Sequence, residues 1–309
     1  MRIVVVGVGG LGGLYGEMLA RRGEDVTFVA RGPSLEALRA RGLTVRSPSL
    51  GNFTVSARAT DNPEELDLPD LVLFCVKTYD LERAGEQIRP LVGPSTTVLP
   101  LLNGIEATSR LGAIVGKEAV LVGISYARST RTAPATIDHM ANTKIVLGEP
   151  AGGVSARVEA IAGVLRRAGI DAEAHAAPEL ALWEKLVAHG AFGGMTALTR
   201  LPLGPMLACF ETRAMLHDVI LEIVAVARSR GVAIPTESVD RIATMADGLP
   251  PGARPSLLED LVDGRRLELE SITGAIVQLG RQVGVPTPMN VAIYAALKPY
   301  AEGASDGLP

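Results

Sequence analysis

The run Ile3-Val4-Val5-Val6 leads directly into Gly7-Val8-Gly9-Gly10-Leu11-Gly12, a helix-compatible stretch from Leu14 to Arg22 follows, and a second β-branched run, Val26 to Ala30, closes the unit. A lone G-x-G-x-x-G carries little information. Between a strand and a helix, in a unit of about 30 residues, it brings backbone N–H groups and the positive end of a helix dipole to a place where a dinucleotide pyrophosphate binds. Each glycine then has a physical task. Gly7 permits the tight turn, Gly9 lets the backbone approach the phosphates, and Gly12 allows the helix to pack closely on the strand, with Val8, Gly10 and Leu11 completing the cofactor loop.

The rest of the first half repeats the same punctuation, with helical stretches at Leu14 to Arg22 and Leu35 to Arg41 and further strand candidates at Leu71 to Val76, Thr97 to Leu101, Val120 to Ser125 and Lys144 to Leu147. Apolar runs of this length alternating with helices predict an α/β fold, a Rossmann domain with a mostly parallel sheet covered on both faces. After about residue 150 the pattern changes to apolar residues at three-to-four spacing, in Val154 to Ala168, Pro178 to His189, Thr212 to Arg230 and Leu257 to Val283. The expected division is a cofactor-binding Rossmann domain over 1–175 and an all-helical substrate and catalytic domain over 176–309. In 309 residues that length is ample for two cores.

Composition excludes several other classes. Thirty basic against thirty-four acidic residues leave a net charge of −4, which offers no global attraction for nucleic acid or an anionic membrane. No segment reaches the roughly 18 uninterrupted apolar residues of a membrane helix, and the glycines at 7, 9, 10, 12 and 13 interrupt the only apolar start that resembles a signal peptide. The two cysteines, Cys75 and Cys209, form no C-x-x-C and suggest a reducing, cytoplasmic setting. Histidines 139, 175 and 217 show no ligand spacing, and neither a Gly-x-Ser-x-Gly elbow nor a Walker loop is present, so metal, hydrolase and P-loop chemistry are not expected.

An NAD enzyme usually ends its second strand with an acidic residue for the ribose 2′-hydroxyl. Here Val26-Thr27-Phe28-Val29-Ala30 runs into Arg31-Gly32, and an arginine at that place suits the 2′-phosphate of NADP(H). NADPH is the expected cofactor. Arg39 and Arg41 are alternative phosphate partners, and a surface arginine with no ligand is the plainer reading.

With this loop in place, the later motifs Val76-Lys77, Leu102-Asn103-Gly104, Trp183-Glu184-Lys185-Leu186, Pro255-Ser256-Leu257-Leu258-Glu259-Asp260 and Glu268 make the chain resemble the ketopantoate reductase family, the 2-dehydropantoate 2-reductases. The resemblance covers nearly the whole chain. It implies NADPH-dependent reduction of 2-ketopantoate to (R)-pantoate, on the route to pantothenate and coenzyme A, in a cleft between a Rossmann and a helical domain. Helical C-terminal domains of this family often pair, which is compatible with a homodimer through that domain while leaving the oligomeric state open; a small-molecule 2-keto acid is the implied partner, and hydride chemistry itself needs no metal. Carried over by motif, Lys185 is the general acid and Glu268 its partner acid; Lys77 lies beside the cofactor, Asn103 near nicotinamide and substrate, and Ser256 at the substrate. Taken alone, each has a blander reading: Lys185 as a solvated lysine on a short helix from Ala177 to His189 stopped by Gly190, Glu268 as part of a charged face, Asn103-Gly104 as a turn, and Ser256 as an N-cap in a capping box with Glu259.

The chain departs from the family where Lys-Leu-x-x-Asn and a second asparagine four residues later are expected. Here His189 and Gly193 occupy those places. His189, one turn after Lys185, is expected to replace the first asparagine as a substrate donor or to influence the lysine, packing or helix capping being the alternative. Gly193 and Gly194 are expected to widen the pocket for a bulkier 2-keto acid. Reduction of another branched 2-keto acid is therefore the second reading, and a non-catalytic NADP(H) sensor a third.

Overall fold

The computed structural model describes residues 1–304, so the last five residues of the expected helical domain lie outside the description. Two compact units are formed, the first from residues 1–102 and 106–179, the second from 103–105 and the described residues from 180 onward. Three residues around Asn103 thus belong with the second half of the chain, which no reading of sequence order shows.

The first unit is built on a five-stranded, wholly parallel sheet. Its strands are β1 (Arg2–Val6), β2 (Asp25–Val29), β5 (Arg58–Thr60), β6 (Leu71–Phe74) and β7 (Thr97–Pro100), in the order β5-β2-β1-β6-β7. Helices α1 (Gly10–Arg21), α2 (Gly32–Arg41), α3 (Leu81–Ile88), α4 (Ala107–Val115) and α5 (Ala156–Arg167) belong to the same unit. Both faces of β1 are buried. Ile3 and Val5 pack with Leu14, Met18 and Leu38, whereas Val4 and Val6 pack with Leu81, Ile88 and Leu111, which is why these strands read as continuous apolar runs rather than as alternating ones. The order of strands reverses at β1, with β2 on one side and β6 on the other, and such a switch point is where open α/β sheets take ligands.

Two smaller sheets complete the unit. One has the order β4-β3-β10-β9, from β3 (Leu43–Arg46), β4 (Phe53–Val55), β9 (Arg128–Ala133) and β10 (Thr136–Ala141). The other is β12-β11-β8, from β8 (Val122–Ser125), β11 (Ile145–Gly148) and β12 (Ala172–Ala174). The expected strands near 120–125 and 144–147 therefore do not extend the parallel sheet; they pair with each other antiparallel. Ladder pairing next to β7 is reduced to the isolated bridge of Val98 with Val120, and β8 crosses close beside β7, where a Cβ at Gly123 would lie 2.3 Å from the Pro100 carbonyl oxygen.

The second unit is helical: most of α6 (Pro178–Thr199), then α7 (Leu203–Ala208), α8 (Phe210–Ser229), α9 (Ser238–Met245), α10 (Ser256–Val262), a π-turn (Glu270–Gly274), α11 (Ala275–Val283) and α12 (Pro288–Leu297). The expected helix over 257–283 is broken after Val262, where Gly264 takes a φ of +63°. Helix α6, by contrast, does not stop at Gly190. Its glycines sit against neighbours, with a Cβ at Gly190 reaching 3.5 Å from Ile223, at Gly193 3.5 Å from Leu257 and at Gly194 3.2 Å from Ile293. An interior glycine costs about 1 kcal/mol of helix propensity, an amount that tertiary burial readily offsets. No helix among the described residues is long and apolar enough to cross a membrane.

Candidate active site

Gly7, Arg31 and Lys77 each follow the carboxyl end of a strand, β1, β2 and β6 respectively, three neighbours in one sheet. Gly7 has φ +90°, and a Cβ there would stand 2.9 Å from Val76. Gly12 is tighter still, its missing Cβ falling 2.1 Å from the Gly7 carbonyl oxygen, so only glycine lets α1 start this close to β1. Gly10 also meets a packing demand: β9 passes so near that a Cβ would fall 2.2 Å from the Ser129 carbonyl oxygen. Around Gly9, in contrast, a Cβ would meet nothing within 4 Å, which leaves an open face at the first turn of a helix with no acidic residue in it. Val8 is buried and Leu11 partly so. Such a cradle, with free space beside a glycine and a positive helix end, fits a dinucleotide phosphate.

Arg31 sits at the N-cap position of α2 with its side chain 66% exposed, 3.8 Å from Asp80. The two alternative arginines lie in the last turn of the same helix and are engaged elsewhere, Arg39 donating to the Ala59 carbonyl and Arg41 to that of Pro134. Arg31 is thus the arginine left at the strand end. Lys77 precedes a short turn, Thr78 to Asp80, in extended conformation.

The other expected residues come together in the second unit. Lys185 Nζ donates to Asn103 Oδ1 at 3.0 Å, and Asn103 Nδ2 donates to Glu268 Oε2 at 3.2 Å. Asn103 therefore bridges an ammonium and a buried carboxylate, Glu268 being 6% exposed. Loss of hydration pushes Lys185 from its ordinary 10.5 down to about 8, and the charge of Glu268 opposes that fall. A lysine set near neutrality by burial and a carboxylate partner suits proton transfer.

Lys185 and Asn103 border a small cavity lined by Asn103, Gly104, Leu182, Lys185, Leu186 and His189. Helical spacing explains the lining. Positions 182, 185, 186 and 189 fall on one face of α6, with Leu186 at its edge also joining the core that Trp183, Val187 and Ala191 face. Leu182 stands outside the sequence motifs, although it lies three residues before Lys185, and Leu186, a motif residue with no site role assigned from sequence, lies four residues after Leu182. His189 does line the cavity with Lys185. Gly193 and Gly194 do not widen it, because Leu257 and Ile293 fill the space beside them. Ser256 is the first residue of α10 rather than its cap, since Pro255 holds the cap position and accepts from the amides of Leu258 and Glu259; the expected capping box is replaced by this arrangement. Ser256 is not among the residues that line the cavity.

Comparison with known proteins gives a consistent picture. Residues 3–152 match the model of the family described as ketopantoate reductase PanE/ApbA, and residues 179–301 match the model of that family's C-terminal part. A 2-dehydropantoate 2-reductase of Mesorhizobium japonicum is 32% identical over 97% of this chain and 98% of its own. The solved structure of a 2-dehydropantoate 2-reductase from Geobacter metallireducens GS-15 superposes with a TM-score of 0.90 at 34% identity, over 97% of this chain and 99% of that one. D-mandelate dehydrogenase, solved with NADH and anilino(oxo)acetate, shares the fold at TM-score 0.89 and 20% identity, over 97% and 98% of the two chains.

Proposed function

Because the chain belongs to the ketopantoate reductase family, we propose that this oxidoreductase reduces 2-ketopantoate to (R)-pantoate with NADPH, in the cytoplasm, as a step towards pantothenate and coenzyme A. The observation that carries the reading is the bonded series Lys185–Asn103–Glu268 beside a cavity. When bound, the nicotinamide supplies hydride to the carbonyl carbon. Negative charge then grows on the carbonyl oxygen, and a protonated Lys185 Nζ both stabilises it and delivers the proton. Asn103 holds the ammonium in place through Oδ1 and hands the other end of its amide to Glu268, whose charge keeps the lysine protonated in a site that otherwise disfavours a cation. Gly7, Gly9 and Gly12 make room for the dinucleotide phosphates, Arg31 reads the 2′-phosphate, and Lys77 stands at the neighbouring strand end.

His189 supports a second reading, that of another branched 2-keto acid. It occupies the cavity wall together with Leu182 and Leu186, an apolar pair suited to an aliphatic side chain, and its ring offers a donor to a carboxylate. Oxidation of NADPH measured with ketopantoate and with a panel of branched 2-keto acids lacking its hydroxyl separates the two. Highest kcat/KM with ketopantoate is the expected outcome; NADPH binding without turnover of any acid would instead describe a sensor. In the same assay Arg31→Ala is expected to weaken NADPH at least about tenfold, as loss of a charge-assisted contact should, while NADH is little changed. Equal losses for both cofactors would show that Arg31 does not read the phosphate.

A further inference from the structure

The residue that completes the Lys185–Asn103–Glu268 series is delivered by an unusual piece of backbone. Glu268 lies two residues before the π-turn Glu270–Gly274, closed by the Gly274 amide donating to the Leu269 carbonyl at 2.8 Å. Glu268 stands just ahead of the turn, in the non-helical stretch 265–268, and its carboxylate meets Asn103 while Leu269 and Ile272, like Ile276 and Leu279 of α11, lie in the core. Such π-turns are local departures from α geometry that recur at functional sites. The arrangement carries a cost. Thr273 within the turn is 2% exposed, and its hydroxyl meets no hydrogen-bond partner among the described residues, a buried polar group of the kind that calls for an explanation.

The π-turn touches both elements that hold the other two members of the series. On one side lies the segment 103–105. Gly104 has φ +84°, and a Cβ there would fall 2.5 Å from the Ser271 carbonyl oxygen, so the loop carrying Asn103 rests directly on the turn's backbone. On the other side lies α6, five residues beyond Lys185, where a Cβ at Gly190 would be 3.6 Å from Ile272 and one at Gly194 3.9 Å from the Thr273 hydroxyl. Within the turn, Ser271 Oγ donates to the carbonyl of Glu268 at 3.1 Å and ties the acid's own backbone to it.

We propose that the π-turn Glu270–Gly274 is the positioning element of the active site, and that Gly104 and Ser271 are positioning residues that key the Asn103 loop to Glu268 and so set Lys185. The proposal builds on the assignment of Lys185 as the acid, and its test is chosen to separate the two. Gly104→Ala forces the 103–105 loop off the Ser271 carbonyl, and Ser271→Ala removes the hydroxyl that ties the turn to the Glu268 carbonyl. Two readouts are taken, steady-state kinetics and an NMR titration of the Lys185 ε-amine, whose titratable neighbours are Glu268 and His189.

For Gly104→Ala, kcat is expected to fall at least about tenfold, a misplacement effect, with KM for NADPH within about twofold. The lysine titration should move up from about 8 towards 10.5 as water reaches the ammonium. Ser271→Ala should shift both readouts in the same direction by less. A folded Gly104→Ala enzyme with wild-type kcat and an unmoved titration would overturn the proposal. Should that variant fail to fold, an unmoved titration in Ser271→Ala would do the same. If the unaltered protein turns over no 2-keto acid, the functional reading fails and the titration alone decides the positioning role.

Discussion

Lys185→Ala is expected to lower kcat at least about a hundredfold and to leave NADPH affinity within about twofold, the signature of a group that acts in the transition state and not in cofactor binding. His189 is the other titratable donor lining the cavity. Were it the acid, the lysine variant would lose little and His189→Ala would show the large loss. Stability gives an independent check on the same side chain. Lys185 has its pKa lowered from 10.5 to about 8 by burial, so between those values the unfolded chain binds more protons than the folded one. Stability contributed by this group consequently rises with pH across that window. Near pH 7 the fold works against the ammonium, and Lys185→Met is expected to melt at or above the wild-type temperature while inactive. Thermal melts from pH 7 to 10 test this, and a variant that is inactive because it is unfolded would speak against the catalytic assignment.

The second large effect is expected at the dinucleotide loop, where two alanine substitutions should part company. Gly12→Ala places a Cβ 2.1 Å from the Gly7 carbonyl and 3.1 Å from Cys75. Helix α1 must move away from β1, at a cost of about 1–3 kcal/mol for overpacking, and the melting temperature should drop by several degrees as NADPH binding is lost. Gly9→Ala adds a methyl group that meets nothing within 4 Å. That variant should melt like the wild type, yet lose NADPH affinity by about a hundredfold, the equivalent of one or two charge-assisted amide–phosphate bonds. Calorimetric titration with NADPH alongside melting curves distinguishes them, and a Gly9→Ala protein that binds normally would place the phosphates elsewhere.

The dinucleotide unit was legible in the sequence because its signals are local: a buried strand, glycines whose spacing follows from one turn of backbone, and a helix behind them. Strands β9 and β10 left no such trace. Their sequences, Arg128 to Ala133 and Thr136 to Ala141, are largely polar and half exposed, so neither an apolar run nor a clean alternation marks them. Helix α6 conceals its full length for the opposite reason. Gly190 reads as a stop by propensity, but Ile223 and Ile272, distant in sequence, cover it and keep the helix intact. The same long-range packing explains Gly193, which looks like a widened pocket in one dimension and proves to be the seat of Leu257. Lys185, Asn103 and Glu268 were named from motifs, whereas their connection through the Asn103 amide, and the π-turn that makes it possible, depend on three segments spread over 165 residues.

The most direct test of the account is the pH dependence of kcat/KM for NADPH-driven ketopantoate reduction by the unaltered protein. If Lys185 is the acid, the rate is level below about pH 8 and falls about tenfold per unit above it, because the amine must carry its proton to give it away. A rate that climbs as pH passes through 8, or no ketopantoate reduction at any pH, would contradict it.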